Sequence, residues 1–233
     1  MKQICSLLVV IIMVAACKKS PVLAPAPVES ATPAYITDIE AAGTNSSIKI
    51  GTQRWMAKNL NASRYRNGDL IPHVTDNASW AALTTGAWCW YKNDSATYAA
   101  TYGKLYNLLA VNDPRGLAPE GWHIPSYTEW TILSTFLGGD EIAGGKMKET
   151  GTSHWRFPNT GATNSSGFTG LAGGNRNGHY GGFVHFGDQQ SWWSSTGIEG
   201  TFDAWCFYVT FNSGNLQKTG RLRGGFPVRC VKD

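Results

Sequence analysis

Residues 121–130 read GWHIPSYTEW, and this stretch decides where the chain passes from strand to helix. Ser126 has the chemistry of a helix N-cap: its hydroxyl oxygen accepts from first-turn amides, and Glu129, three positions on, reaches back to the Ser126 amide. Pro125 fits directly before such a cap, because it confines Ile124 to extended backbone. Beyond the cap, Trp130, Leu133, Phe136 and Leu137 recur at helical spacing, so one helix face has bulk to bury. The pattern predicts a helix that packs on a sheet, with Trp122 and Trp130 flanking its start. His123 is expected to pack beside Trp122 rather than to hold a metal.

Outward from that stretch, composition narrows the class. Charged residues make up 15% of the 233, and 27 glycines, ten tryptophans, nine tyrosines and nine phenylalanines describe a strand-rich, loop-rich globule rather than a helical bundle. The net charge of +4 is small and scattered, which argues against a nucleic-acid partner.

The N-terminus reads as a targeting signal over 1–16. Lys2 precedes an apolar run at 7–16, too short to span a bilayer as a mature helix, and small residues lead to Cys17. Val14-Ala15-Ala16-Cys17 resembles the lipobox of bacterial lipoproteins, which implies cleavage before Cys17 and a lipid on its thiol. Each buried methylene of such a lipid contributes about 0.8 kcal/mol to membrane attachment. Lys18 and Lys19 follow where an aspartate would favour the inner membrane, so the expected address is the outer membrane, on either face. The remainder of 17–36 is rich in Pro, Ala, Ser and Thr and reads as an extended tether. The globular domain is placed at 37–233.

Within that domain, strands are expected at 47–50 and 53–56 around Gly51, a turn at 67–69, and a short helix capped by Thr75 or Asp76 and running through Trp80 and Leu83. A buried strand is expected at 88–91, while 98–111 fits a helix that Gly103 weakens. One short helical turn is expected at 142–148. From 149 to 200 the chain is mostly Gly, Asn, Ser and Thr and reads as a long connection without elements. Residues 204–211 alternate Trp205, Phe207, Val209 and Phe211 with Cys206, Tyr208 and Thr210, the mark of a half-buried strand. Residues 212–215 reverse it, and a closing strand is expected at 225–231.

Six blocks, IKIGTQRWMAKNL, TYGKLYNLLAV, GWHIPSYTEW, AGGKMKE, SWWSST and GFPVRCVKD, occur in this order and resemble the Fibrobacter succinogenes major paralogous domain, which recurs in lipoproteins of Bacteroidota. That family is similar to the formylglycine-generating-enzyme branch of the C-type-lectin-like superfamily. The resemblance implies an α+β, C-type-lectin-like fold with short antiparallel strands, few helices and long Gly-rich loops. It implies a scaffold rather than an activity.

With Cys5 removed and Cys17 lipidated, Cys89, Cys206 and Cys230 remain, and strand parity favours a Cys89–Cys230 disulfide. Neither Cys89 nor Cys206 lies in a stretch resembling the catalytic segment of the oxidases. The five histidines show no HExxH spacing, and His179, His185 and Asp188 are expected to be solvated rather than ligating, so no metal or cofactor is expected. The Glu-Pro-Asn, Gln-Pro-Asp and Trp-Asn-Asp sets of calcium-dependent lectins do not occur. A binding surface for a glycan or protein is expected instead from Asn175, Arg176, Asn177, His179 and Tyr180 together with Asp203, Tyr208, Asn212, Asn215, Arg221 and Arg223. The expected function is non-catalytic recognition. The alternatives are an oxidase-like or hydrolytic relative and a ligand-free structural component of the envelope.

Overall fold

In a computed structural model, residues 46–221 and 223–233 are described. The expected signal at 1–16, Cys17 and the expected tether lie outside these residues. The capping box at Ser126 forms as its sequence predicts: the Ser126 hydroxyl accepts from the Glu129 amide at 3.2 Å, and Glu129 accepts from the Ser126 amide at 2.8 Å. Five helices are present among the described residues: α1 (Asn77–Ala81), α2 (Ser95–Tyr102), α3 (Leu108–Val111), α4 (Tyr127–Phe136) and α5 (Asp140–Met147). Asp76, Asp94 and Asn107 cap the first three through side-chain oxygens. The stretch 98–111 is therefore not one helix. Gly103, at φ +72°, ends α2, and β4 (Leu105–Tyr106) separates it from α3.

Short antiparallel strands supply the rest. β1 (Ser47–Ile50) and β2 (Gln53–Met56) form a hairpin that continues through β12 (Val231–Lys232) to β5 (Trp122–His123). β3 (Trp88–Cys89) pairs with β4. The strand expected at 88–91 stops early, since a 3-10 turn begins at Tyr91. The closing strand expected at 225–231 is likewise broken, into β11 (Gly224–Gly225) and β12.

The larger correction concerns 149–200, which is not without elements. It carries β6 (Gly173–Asn177), β7 (Phe183–Phe186) and β8 (Gln189–Gly197). β6 and β7 form one sheet with β11, whereas β8 pairs with β9 (Ala204–Thr210) and then β10 (Gln217–Arg221). Glycine hides the first sheet from a hydrophobic-pattern reading yet is needed to build it. Gly174 has φ +66°, and a Cβ there would stand 2.6 Å from the Val184 carbonyl oxygen and 2.8 Å from the Tyr91 ring.

Two large apolar clusters lie on either side of the β8–β9–β10 sheet. On one side Trp130 of α4 packs with Trp55, Phe168, Trp192, Phe207 and Val209. On the other, Trp193 and Cys206 join Tyr106, Phe226 and Cys230. The Cys89–Cys230 disulfide is not formed: Cys89, Cys206 and Cys230 are free, buried thiols. Cys89 belongs to a separate cluster with Trp80, Ala87, Tyr91 and Leu105, so shared strand parity does not bring it to Cys230.

His123 does not simply pack. Its Nδ1 lies 2.6 Å from Asp233 Oδ1 and its Nε2 2.6 Å from Glu129 Oε1. Burial alone would lower the imidazole pKa, but the two carboxylates outweigh it and raise it. Ser126 donates its hydroxyl to Glu129, not to His123, so this constellation lacks the nucleophile-to-base contact of a hydrolytic triad.

Candidate functional site

The alternation of β9 assigns its two faces to different tasks. Phe207 and Val209 are buried in the core, whereas Cys206 and Tyr208 on the opposite face reach a cleft of about 260 Å³. Register carries the same parity across the sheet: Tyr208 stands opposite Ser191 on β8 and Gln217 on β10, and Cys206 stands opposite Thr219. Ser191 and Thr219 therefore line the cleft beside Tyr208. The Tyr208 hydroxyl donates to Gln217 Oε1 at 3.1 Å, and Gln189 donates to Ser191 Oγ at 2.8 Å, which fixes both side chains against the floor.

The facing wall comes from β6 and β7. Asn175 and Asn177 share a strand parity and both line the cleft. Asn177 Oδ1 accepts from the amides of His179 and Tyr180 at 2.8 and 3.3 Å, a side-chain turn that shapes the end of β6. His185 has φ +64°, a conformation uncommon outside glycine. That kink breaks the alternation of β7, so Phe183 and Phe186 both reach Tyr91, at 5.3 and 5.0 Å, while Val184 and His185 line the cleft. The Gln190 side chain ties the two walls together by accepting from the Gly173 amide at 3.0 Å.

Seven residues anticipated from the sequence meet at this cleft: Asn175, Arg176, Asn177, His179, Tyr208, Arg221 and Arg223. Four do not line it. Tyr180 projects from the β6–β7 turn, and Asp203 precedes β9. Asn212 and Asn215 lie in the turn between β9 and β10, where the Asn215 backbone runs against Gly144 of α5. Arg176 needs a different account from its neighbours. It is fully buried, and its guanidinium donates to the carbonyls of Val74, Thr75 and Gly181 and to Asn77 Oδ1, at 2.6 to 3.1 Å. It also lies over the rings of Trp80 and Phe183, at 4.5 and 4.8 Å. Arg176 thus holds the wall up rather than offering itself to a ligand.

The sequence reading missed Gln189, Ser191 and Thr219, and weighed His185 only as a metal ligand. No pattern marks Gln189 or Ser191, because in 189–195 both parities carry polar residues and one tryptophan, so alternation does not assign a polar face. Asp188, considered with His179 and His185, faces Arg156 instead at 3.0 Å. Cys206 lies in the cleft wall, where burial pushes its thiol up to about 12. A smaller, apolar notch of about 30 Å³ lined by Trp80, Leu83, Leu108 and Leu109 adjoins the cleft and shares Gly178 and Arg223 with it.

A mixed α+β domain of short antiparallel strands and few helices, with a polar cleft between two of its sheets, is the class these features define. The chain belongs to the Fibrobacter succinogenes major domain family, whose description matches residues 48–232. No curated protein and no solved structure matches it.

Proposed function

We propose that this chain is an envelope lipoprotein, anchored through a lipid on Cys17, whose domain recognises a glycan without catalysis. The observation that carries the reading is the cleft, where Asn175, Asn177, His179, Tyr208, Arg221 and Arg223 converge around a wall that Arg176 holds in place. Amides, hydroxyls and guanidinium groups dominate its lining, with Tyr208 as an aromatic face, and this mixture suits a hydroxyl-rich ligand better than an apolar one. At about 260 Å³ the cleft falls just below the usual range of small-molecule sites, about 300–1,000 Å³, so it matches one residue of a longer chain. Short strands, few helices and long glycine-rich connections support reading the fold as C-type-lectin-like, akin to the formylglycine-generating enzymes. An oxidase-like relative would need a reactive thiolate, and the thiol at the cleft, Cys206, is held protonated by burial.

Glycan and protein arrays probed with the full chain, across a range of salt and calcium, test the reading. Retention of a glycan class is the expected result, with Tyr208→Ala weakening it while the melting temperature holds. Binding to proteins alone would redirect the reading to a protein ligand, and no retention under any condition would overturn recognition altogether.

A further inference from the structure

The charge pattern of the cleft goes beyond a generic glycan site. Its lining contains Arg221, Arg223, His179 and His185, and no aspartate or glutamate. Arg221 donates to Thr219 Oγ1 at 3.1 Å and to the Gly220 carbonyl at 2.9 Å, both neutral acceptors. Neither Arg221 nor Arg223 makes an ion pair among the described residues. Outside the cleft, by contrast, Arg115 pairs with Asp69 and Asp113 at 3.0 and 2.8 Å, and Arg156 with Asp188.

Arg176, in the wall, adds a third cation, whose field also reaches the Asp76 carboxylate at the start of α1. All its hydrogen bonds go to neutral oxygens, so they hold its guanidinium in place and leave its charge. A cleft walled by protein and lined by one sign of charge concentrates the field at its mouth. The site is thus built to receive a negative group.

The rest of the lining selects among anions. Phosphate sites are commonly made by helix N-termini or by nests of backbone amides. The cleft is lined from strands and the turns that join them, and no helix start reaches it. A nucleic acid would call for a basic stripe with stacking aromatics. Arginine forks match a carboxylate in two-point contact, as they also match a phosphate, so it is the lack of a helix start or amide nest at the cleft that favours the carboxylate. Asn175, Asn177, Gln189 and Tyr208 offer donors and acceptors at the spacing of neighbouring side chains, for the hydroxyls of a ring.

Resting on the glycan reading above, we infer that the cleft holds an acidic sugar residue of the uronate class, with Arg221 and Arg223 on its carboxylate and the amides and Tyr208 on its hydroxyls.

The test is calorimetric titration of the full chain with oligogalacturonate and with a neutral galactose oligomer of the same linkage and length. The uronate oligomer is expected to bind, more weakly as sodium chloride rises, and the neutral one at least tenfold more weakly. The double variant Arg221→Gln, Arg223→Gln should lose uronate affinity by about tenfold or more. Both side chains are exposed, so its melting temperature should match that of the parent chain; salt titration of the parent chain reads the same charge contact without any substitution. Equal binding of the neutral oligomer, or unchanged uronate affinity in the double variant, would overturn the acidic-sugar inference and leave glycan recognition standing. Failure of both oligomers to bind, with arrays positive for another glycan, would overturn only the inference. With arrays negative as well, both readings fall.

Discussion

The indole of Trp130 lies against the ring of Phe207, with centroids 5.1 Å apart and planes 15° from parallel. The contact joins α4 to the core face of β9, and the other face of that strand carries Tyr208 into the cleft. Trp130 also meets Trp55, Phe168 and Trp192 at 4.8 to 6.2 Å. Trp130→Ala should therefore cost about 3–5 kcal/mol, read by urea unfolding. A loss under 1 kcal/mol would show that α4 does not brace the sheet.

The start of the same helix gives a smaller and more local effect. Ser126→Ala removes the acceptor for the Glu129 amide and a hydrogen bond to the Glu129 carboxylate. About 1 kcal/mol of stability should go with it, whereas Ser126→Asp should retain most of the cap. Equal melting temperatures for the parent chain and Ser126→Ala would show the box to be energetically idle.

His123 introduces a pH dependence whose sign follows from its neighbours. Its folded pKa is raised, so its contribution is fully present below the unfolded value of about 6.5 and is lost as pH rises through the folded value. Glu129 runs the other way. Burial alone would raise its pKa, but Ser126 and His123 outweigh that and lower it, so its contribution is present above the unfolded value and fades as pH falls through the folded one. His123→Gln should consequently lower the melting temperature more at about pH 6 than at about pH 9. The imidazole is 38% exposed, so solvent screening keeps the difference small. A difference of the opposite sign would overturn the assignment.

Arg176 and Arg221 should separate by readout. Arg176→Met leaves three carbonyls and an amide oxygen without their donor and should destabilise the domain by about 3 kcal/mol or more. Arg221→Gln should change stability by under about 0.5 kcal/mol, because the side chain is exposed and bonds only to its own strand. Thermal melts of the two variants check the contrast, and similar losses would remove it.

For the cysteines, thiol titration in denaturant should give the same count before and after reduction. Cys89, Cys206 and Cys230 are all free, and burial pushes each thiol up to about 12, so none should react quickly in the folded chain. Two additional thiols after reduction would restore a disulfide.

How much of this could be read beforehand depends on what carries each signal. The α4 cap is local chemistry within four residues, and β9 announces itself through strict apolar alternation, so both were legible. β6 was not, because GGNRN has no apolar residue, and its pairing depends on Gly174 adopting positive φ beneath Tyr91. β7 was obscured at His185, where the backbone turns out of period. Arg176 looked like a surface residue because its partners at 74 and 75 are backbone carbonyls about a hundred positions away, and backbone acceptors leave no trace in residue type. The disulfide failed for a related reason: parity says which face a cysteine takes, not which cluster that face meets.

The two-faced strand β9 has a consequence for how such a domain changes over time. Tyr208 and its cross-strand neighbours Ser191 and Gln217 belong to one parity, Phe207 and Val209 to the other. Substitutions at Tyr208 or Ser191 change the lining of the cleft and leave the second set's packing intact. Insertion of a single residue would exchange the two sets at once. The cleft lining in this fold is therefore free to drift at alternate positions, while chain length between the hairpin turns is held fixed.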